Sequence, residues 1–398
     1  MITMTKRQTQ LQQQILKQLY TRGPISRSDI VRLTGITPAT TSAVTAQLLA
    51  AGVIRESGAA AAQHQSGRRK ILLEVAPGGP KVLGVELTAS SYTLCIIDRC
   101  GQVYASRKRQ TARDYDLHFL AVPAIVTDIK DFLNAHQDLP ITAIGVAVPG
   151  HYLADQEIVV SANPTWKHVS LRPFNEAFKP LPVYYENNVH CETVAEQLIG
   201  PDKSGTNFTY LHVARGIFCS TIHDGHLYGY KNFVNGEIAH IIVDPNGELC
   251  DCGRRGCLQT TASHEWLVKK AKLLYENANA TYLRQLVARP EDIHMETVFK
   301  AFQMGDQGVV TMLRSAIESL AVTLNTLALV IDANRIILHG QLFDQPQLLA
   351  LFQKTLVANQ FQLTSVQPQN VTVKPFGPQD GAIGGGMLAV AYQLLGEI

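Results

Sequence analysis

The chain has 398 residues, 46% of them hydrophobic and 17% charged, which is enough to bury several cores and excludes a disordered or fibrous protein. It contains no uncharged apolar run of about 18 residues or more, so no membrane span or membrane insertion is expected. Its first residues pass directly into a Gln-rich amphipathic stretch without the core of a secretion signal, which points to a cytoplasmic protein. The net charge of +2 hides a division: residues 1–75 hold ten basic and three acidic side chains, and the remainder holds 25 and 30. A basic first fifth on an acidic body is the pattern of an N-terminal nucleic-acid module.

In that first fifth, Leu11, Ile15, Leu16 and Leu19 recur at helical spacing until Gly23-Pro24 stops the helix. Ser26 is placed to cap a short second helix, with Asp29 in its first turn and the Thr34-Gly35-Ile36 turn after it. Thr37 caps a third, with Pro38 at the first position, where a missing N–H costs nothing. Its inward face is expected to be Ala43, Val44, Leu48 and Leu49, and its outward face Thr40, Thr41, Ser42, Thr45 and Gln47. Two short strands, 52–55 and 70–73, flank a small-residue loop that ends in Arg68 and Arg69. This is the order of a winged helix-turn-helix. Thr37, Ala39, Thr40, Thr41, Ser42, Thr45 and Gln47 would then face the major groove of double-stranded operator DNA, and Arg68 and Arg69 its phosphates or minor groove. A three-helix module used for protein contacts is the alternative.

After Pro77-Gly78-Gly79-Pro80 the pattern becomes α/β. Strand-like runs at 82–85, 92–97 and 103–107 precede a helix over 119–134 and a strand over 141–148. A comparable order returns at 208–213 and 217–223, followed by long helices, one over 308–331, and a strand at 335–338. Two such units predict a duplicated body with a cleft between lobes. Of seven cysteines, three lie close together, and His240, Cys250, Cys252 and Cys257 supply one imidazole and three thiols. That is a closed donor set for one structural zinc ion, with no position left for a reactive water.

Several motifs resemble the ROK family (repressors, open reading frames and sugar kinases). They are Gly236-Glu237-Ile238-Ala239-His240 followed by Cys250-Asp251-Cys252-Gly253, then Val148-Pro149-Gly150, Ser161 to Trp166, Glu186-Asn187-Asn188 and Asp380-Gly381-Ala382-Ile383-Gly384. The resemblance covers essentially the whole chain and marks the repressor branch that carries a winged module. It implies a two-lobed actin/hexokinase-like body of the ribonuclease H type. The domains would be 1–75 for DNA, 76–200 completed by 376–398 for the first lobe, and 201–375 for the second. It also implies that Gly150, Asn163, Asn187, Asn188, Glu237, His240 and Gln259 bind a sugar, with the second ring nitrogen of the ligating His240 facing it.

The departures from the family pattern matter as much. Gln259 stands where sugar-binding members carry Glu, and Asn188 where kinases carry the Asp that takes the hydroxyl proton. Glu86-Leu87-Thr88-Ala89-Ser90 replaces a phosphate loop that has two glycines in kinases, and Ala214-Arg215-Gly216 opens a second loop that keeps one glycine of four. The expectation is therefore not an enzyme. It is a sugar- or sugar-phosphate-responsive repressor of carbohydrate-utilisation genes, acting as a homodimer or a dimer of dimers on a palindromic site. The alternatives are a ROK sugar kinase, and a regulator controlled by a partner protein with a vestigial pocket.

Overall fold

Thr5 opens the first helix with a capping box: its side chain accepts from the Gln8 N–H, and Gln8 reaches back to the Thr5 backbone. This computed structural model describes residues 5–59, 70–110, 121–161, 166–203, 207–229, 232–333, 335–361 and 370–396. Helix α1 (Lys6–Arg22) buries Ile15, Leu16, Leu19 and Tyr20 and stops at Gly23. Strand β1 (Ile25–Ser26) leads into α2 (Arg27–Thr34), where Ser26 and Asp29 form a second capping box and Gly35 closes the end in the left-handed conformation. Helix α3 (Pro38–Ala50) follows its Thr37 cap. Strands β2 (Ile54–Ala59) and β3 (Ile71–Val75) pair antiparallel, and β1 adds to the other edge of β3. Arg68 and Arg69 lie outside the described residues.

The orientation of α3 corrects part of the expectation. Thr41 and Thr45 are fully buried, whereas Ala43 is exposed. Thr41, Val44, Thr45 and Leu48 form one helical stripe, so burying Val44 and Leu48 carries the two threonines inward with them. A buried hydroxyl needs partners: Thr45 Oγ1 donates to the Thr41 carbonyl (2.8 Å) and accepts from Arg27 Nε (3.0 Å). The solvent face consists of Thr37, Ala39, Ser42, Ala43, Ala46 and Gln47, with Thr40 half-buried.

The chain divides into two compact units, 1–206 with 225–227 and 378–398, and 207–224 with 228–377. The first contains the N-terminal helices and a meander of β4 (Lys81–Leu87), β5 (Ser91–Ile97) and β6 (Val103–Gln110). Helix α4 (Val122–Asn134) leads to β7 (Ile141–Val148), which lies parallel to β4. A small antiparallel sheet of β8 (His151–Leu153), β9 (Ile158–Val160) and β10 (Val169–Ser170) precedes α5 (Arg172–Phe178), edge strand β11 (Val183–Asn187) and α6 (Asn188–Ile199). The main sheet has the order β11-β7-β4-β5-β6.

In the second unit, β12 (Phe208–Val213) and β13 (Ile217–His223) form a hairpin; the two-residue β14 (His226–Leu227) falls in the first unit. Helices α7 (Leu258–Ala262), α8 (His264–Asn277), α9 (Leu283–Leu286), α10 (Met295–Gln303) and α11 (Gln307–Ala328) precede β15 (Arg335–His339), α12 (Pro346–Ala358) and β16 (Asn370–Lys374). Within this unit β15 adds parallel to β12 and β16 to β15. Both units therefore repeat one plan: an antiparallel pair extended by two parallel strands. The last helix, α13 (Asp380–Leu394), returns to the first unit, where Gly145 of β7 admits it at close range. A Cβ at Gly145 would run into the Gly385 carbonyl oxygen, so no other residue fits.

The N-terminal helices do not fold around a separate core. Ile15, Leu16, Leu19 and Tyr20 belong to one apolar cluster with Val82, Ile97, Val194, Leu198 and Leu395 of the same unit. Tyr20 Oη donates to the Arg99 carbonyl (2.9 Å), and Arg99 Nη1 donates to the Gly52 carbonyl (3.0 Å). Among the described residues no helix is long and apolar enough to cross a membrane.

Candidate metal centre and ligand-binding motifs

The thiol-rich loop is built by its backbone. Cys250 N–H donates to the Arg254 carbonyl (2.8 Å) and Gly253 N–H to the Cys250 carbonyl (2.9 Å), while Ile242 and Cys257 form an antiparallel bridge. Gly256 sits at φ 66°, and a Cβ there would meet the Asp244 carbonyl oxygen, so the loop closes only with glycine. One ligand atom each from His240, Cys250, Cys252 and Cys257 comes together within 4.8 Å of all the others. His240 Nδ1 is 3.7 Å from Cys250 Sγ, and Cys252 Sγ is 3.6 Å from Cys257 Sγ. Bonds of about 2.3 Å to a tetrahedral ion imply ligand–ligand edges of roughly 3.7 Å, so the donors fit.

The protonation of the three thiols differs. Burial opposes ionisation of Cys252, but hydrogen bonds from the Arg254 backbone and side chain and from the neighbouring thiols outweigh it, bringing it down to about 6. Burial, then hydrogen bonding to Cys252 and Cys250, pushes Cys257 up to about 12; burial also raises Cys250. A cation would remove the remaining protons on binding. Glu237 precedes the 3₁₀ turn Ile238–His240, and its carbonyl accepts the His240 N–H (3.1 Å). The carboxylate-bearing residue is thus tied to one of the four clustered donor residues by one turn.

The Glu186-Asn187-Asn188 motif lies at the junction of β11 and α6. Asn187 is buried and spends its amide within the protein: Oδ1 accepts from Val189 N–H (2.9 Å), and Nδ2 donates to the Gly150 carbonyl (3.1 Å). It couples the Val148-Pro149-Gly150 turn to the start of α6. Asn188 is half-buried, and its Oδ1 accepts from the Val189 N–H (3.0 Å). Gln259, on α7, donates through Nε2 to the Arg215 carbonyl (3.4 Å), while its buried Oε1 has no hydrogen-bond partner among the described residues. Asn163 lies outside the described residues. Gly150, Asn187 and Asn188 belong to the first unit, and Glu237, His240, Gln259 and the thiol loop to the second.

Sequence reasoning missed Thr88. Its Oγ1 accepts from the backbone N–H groups of Ser90 (3.3 Å) and Ser91 (2.9 Å). Its carbonyl takes the Trp166 indole N–H at 2.7 Å. The Ser90 and Ser91 N–H groups are therefore taken by the loop's own hydroxyl rather than free for a phosphate. A threonine two and three residues before potential donors is the legible sign of such a turn. In the second loop, Ala214 N–H donates to the Gly216 carbonyl (2.9 Å), and Arg215 lies 3.6 Å from Glu265.

These features define a two-unit α/β body of the sugar-kinase fold, in which the turn after β4 is closed on itself by Thr88 and a thiol-rich loop has metal-ligand composition. The chain belongs to the ROK family, whose profile matches residues 82–392. The xylose repressor of Bacillus subtilis (strain 168) is 26% identical over 273 residues, covering 67% of this chain and 70% of that protein. A solved ROK family transcriptional regulator, described as a homologue of the E. coli MLC protein, superposes with a TM-score of 0.76 at 21% identity over 98% of each chain. A ROK glucokinase from Streptomyces griseus, solved with glucose and AMPPNP, superposes with a TM-score of 0.65 at 22% identity, covering 77% of this chain and 98% of that one. The two structural likenesses speak for the fold.

Proposed function

We propose that this chain is a transcriptional repressor that reads double-stranded operator DNA through its N-terminal module and binds a sugar or sugar derivative in its kinase-like body without phosphorylating it. The helices α1 to α3 and the β2–β3 hairpin support the reading of a winged helix-turn-helix. The contacts we assign to the recognition helix are Thr37, Ala39, Thr40, Ser42 and Gln47, with Arg68 and Arg69 on the wing; Thr41 and Thr45 are withdrawn from this set because they are buried. The repressor names among its relatives support the reading of a DNA-binding repressor, though not any single contact.

The observation that carries the non-enzymatic part is the pair Thr88 and Asn188. One occupies the loop's phosphate donors, and the other is an amide that cannot accept the proton phosphoryl transfer must remove. A structural zinc ion held by His240, Cys250, Cys252 and Cys257 fixes the turn that carries Glu237. Gly150, Asn163, Asn188, Glu237, His240 and Gln259 are the sugar contacts this reading assigns, with Asn187 positioning Gly150. A dimer supplies the two reading helices that a palindromic site requires.

The test combines three measurements on the full chain. DNA selected from a random pool is bound in a salt-dependent anisotropy titration, a panel of free and phosphorylated sugars is screened for release or tightening, and ADP production is followed with ATP and the same sugars. Glu237→Ala is expected to abolish the sugar response while DNA affinity stays within about twofold, because a carboxylate accepting from two hydroxyls supplies charge-assisted bonds. Stoichiometric ADP turnover, or an unchanged sugar response in Glu237→Ala, overturns the assignment.

A further inference from the structure

We propose that the β11 edge of the first unit's main sheet is a docking groove for an extended, uncharged peptide of a partner protein, added to the sheet as a further strand. Among the described residues, β11 pairs only with β7. In that pairing Ile144 N–H donates to the Pro182 carbonyl (3.0 Å), so the backbone groups of Tyr184 turn toward β7 and those of Val183 and Tyr185 turn outward. An open cavity of about 520 Å³ lies along this edge, lined by Val183, Tyr184 and Tyr185. Neighbouring side chains of a strand fall on opposite faces of the sheet. Each tyrosine is built into a wall there: Tyr185 stacks on Tyr152 (4.3 Å between ring centres) and Tyr184 on Tyr392 (4.6 Å). Paired aromatic surfaces thus flank a row of outward backbone donors and acceptors, the features that hold an added strand.

The two edges of the sheet differ in charge. At the opposite edge β6 carries Arg107-Lys108-Arg109, with Lys108 and Arg109 exposed, and such charges discourage strand addition. Strand β11 lacks that guard: its single charged residue, Glu186, accepts from the Asn187 N–H (2.7 Å) and lies 3.1 Å from His190 Nδ1. The polar groups around the cavity identify the chemistry of the occupant. Glu157 accepts from Asn175 through Oε1 (2.8 Å) and from Arg172 through Oε2 (2.9 Å). Asn175 Oδ1 accepts from Tyr185 Oη (2.7 Å), and Lys179 pairs with Glu176 (2.8 Å). A sugar needs an uncommitted carboxylate or amide, and an ion needs an unpaired opposite charge. Aromatic surface and main chain are what the groove offers. They fit a peptide with large apolar side chains at alternate positions and no charge between them.

The test uses the full chain without DNA or sugar. A displayed pool of random peptides is selected on it, and the recovered sequence is synthesised with a fluorophore for anisotropy titration. Recovered peptides are expected to be uncharged, with apolar residues alternating. N-methylation of every second backbone amide is expected to weaken binding by about tenfold or more in one register and to leave it within about twofold in the other, since only one set of amides faces β11. Val183→Pro removes one outward N–H at an edge position, where proline is tolerated. Ala154→Lys puts a charge on an exposed residue of the cavity wall. Each variant is expected to keep the parent's melting curve and to bind the peptide about tenfold or more weakly. Gln110→Lys, on β6, is the control and is expected to leave peptide binding unchanged. A pool that yields no binder or only charged ones, a peptide indifferent to the register of N-methylation, or one held equally by the parent and both variants would each overturn the proposal. So would sedimentation in which Val183→Pro and Ala154→Lys both dissociate paired chains, because a second copy would then be the occupant.

Discussion

At the scale of single residues, the chemistry of this protein depends on which polar atoms are already spoken for. Asn187, Thr88 and Thr45 all have side chains suited to ligand contact, and all three are consumed by the fold. The thiol loop is the opposite case, four donor atoms gathered within 4.8 Å of one another. The wild-type protein is expected to carry about one zinc per chain by elemental analysis, and Cys252→Ser to lose most of it. His264 yields a pH prediction. Burial, reinforced by the nearby His212, lowers it from 6.5 to about 3, and its Nε2 has no hydrogen-bond partner among the described residues. A depressed folded value favours the neutral ring, so its contribution is fully present above 6.5 and is lost as pH falls toward 3. The loss reaches about 2 kcal/mol by pH 5. Denaturant titrations at pH 7 and pH 5 are expected to show a smaller difference for His264→Gln than for the parent.

At the scale of elements, α3 separates residues that face solvent from residues that hold the helix in place. Thr45 ties α3 to Arg27 of α2, so Thr45→Val is expected to cost about 1 kcal/mol of stability and leave sequence preference unchanged. Gln47, exposed on the same helix, is expected to do the reverse: Gln47→Ala alters which DNA is selected and leaves the melting temperature in place. Selection from random DNA together with a thermal melt checks both. The caps of α2 and α3 were legible in the sequence, because Ser26 and Thr37 act on backbone N–H groups within three residues of themselves; the Thr5 cap of α1 acts at the same range but was not read. The rotation of α3 was not legible. Threonine is at home on either face of a helix, and the packing of Val44 and Leu48 decides which face is buried.

At the scale of the whole chain, the N-terminal module is welded to the first unit by a shared apolar cluster and by the Tyr20–Arg99–Gly52 contacts. Deleting residues 1–75 is therefore expected to uncover apolar surface on α6 and α13 rather than release an independent body. Each of the four buried α1 side chains contributes on the order of 1.5–3 kcal/mol. Scanning calorimetry is expected to show a lower melting temperature for the truncated chain, and a hydrophobic dye to bind it more strongly. A truncated protein that melts with the parent and binds no more dye would show that the cluster stabilises nothing.

By itself the sequence determined what depends on local spacing: the caps of α2 and α3, the glycine stops of the N-terminal helices, the Cys-rich loop with its preceding histidine, the repeated hairpin-and-helix order, and the family. Each of these is set by residues close along the chain, where covalent connection supplies the geometry. Tertiary structure alone decided that the Asn187 amide is spent on the Gly150 carbonyl, that Thr41 and Thr45 face inward, and that α1 shares its core with α6 and α13. Those outcomes depend on partners tens to hundreds of residues away. A polar side chain carries no mark of whether such a partner, or water, will satisfy it.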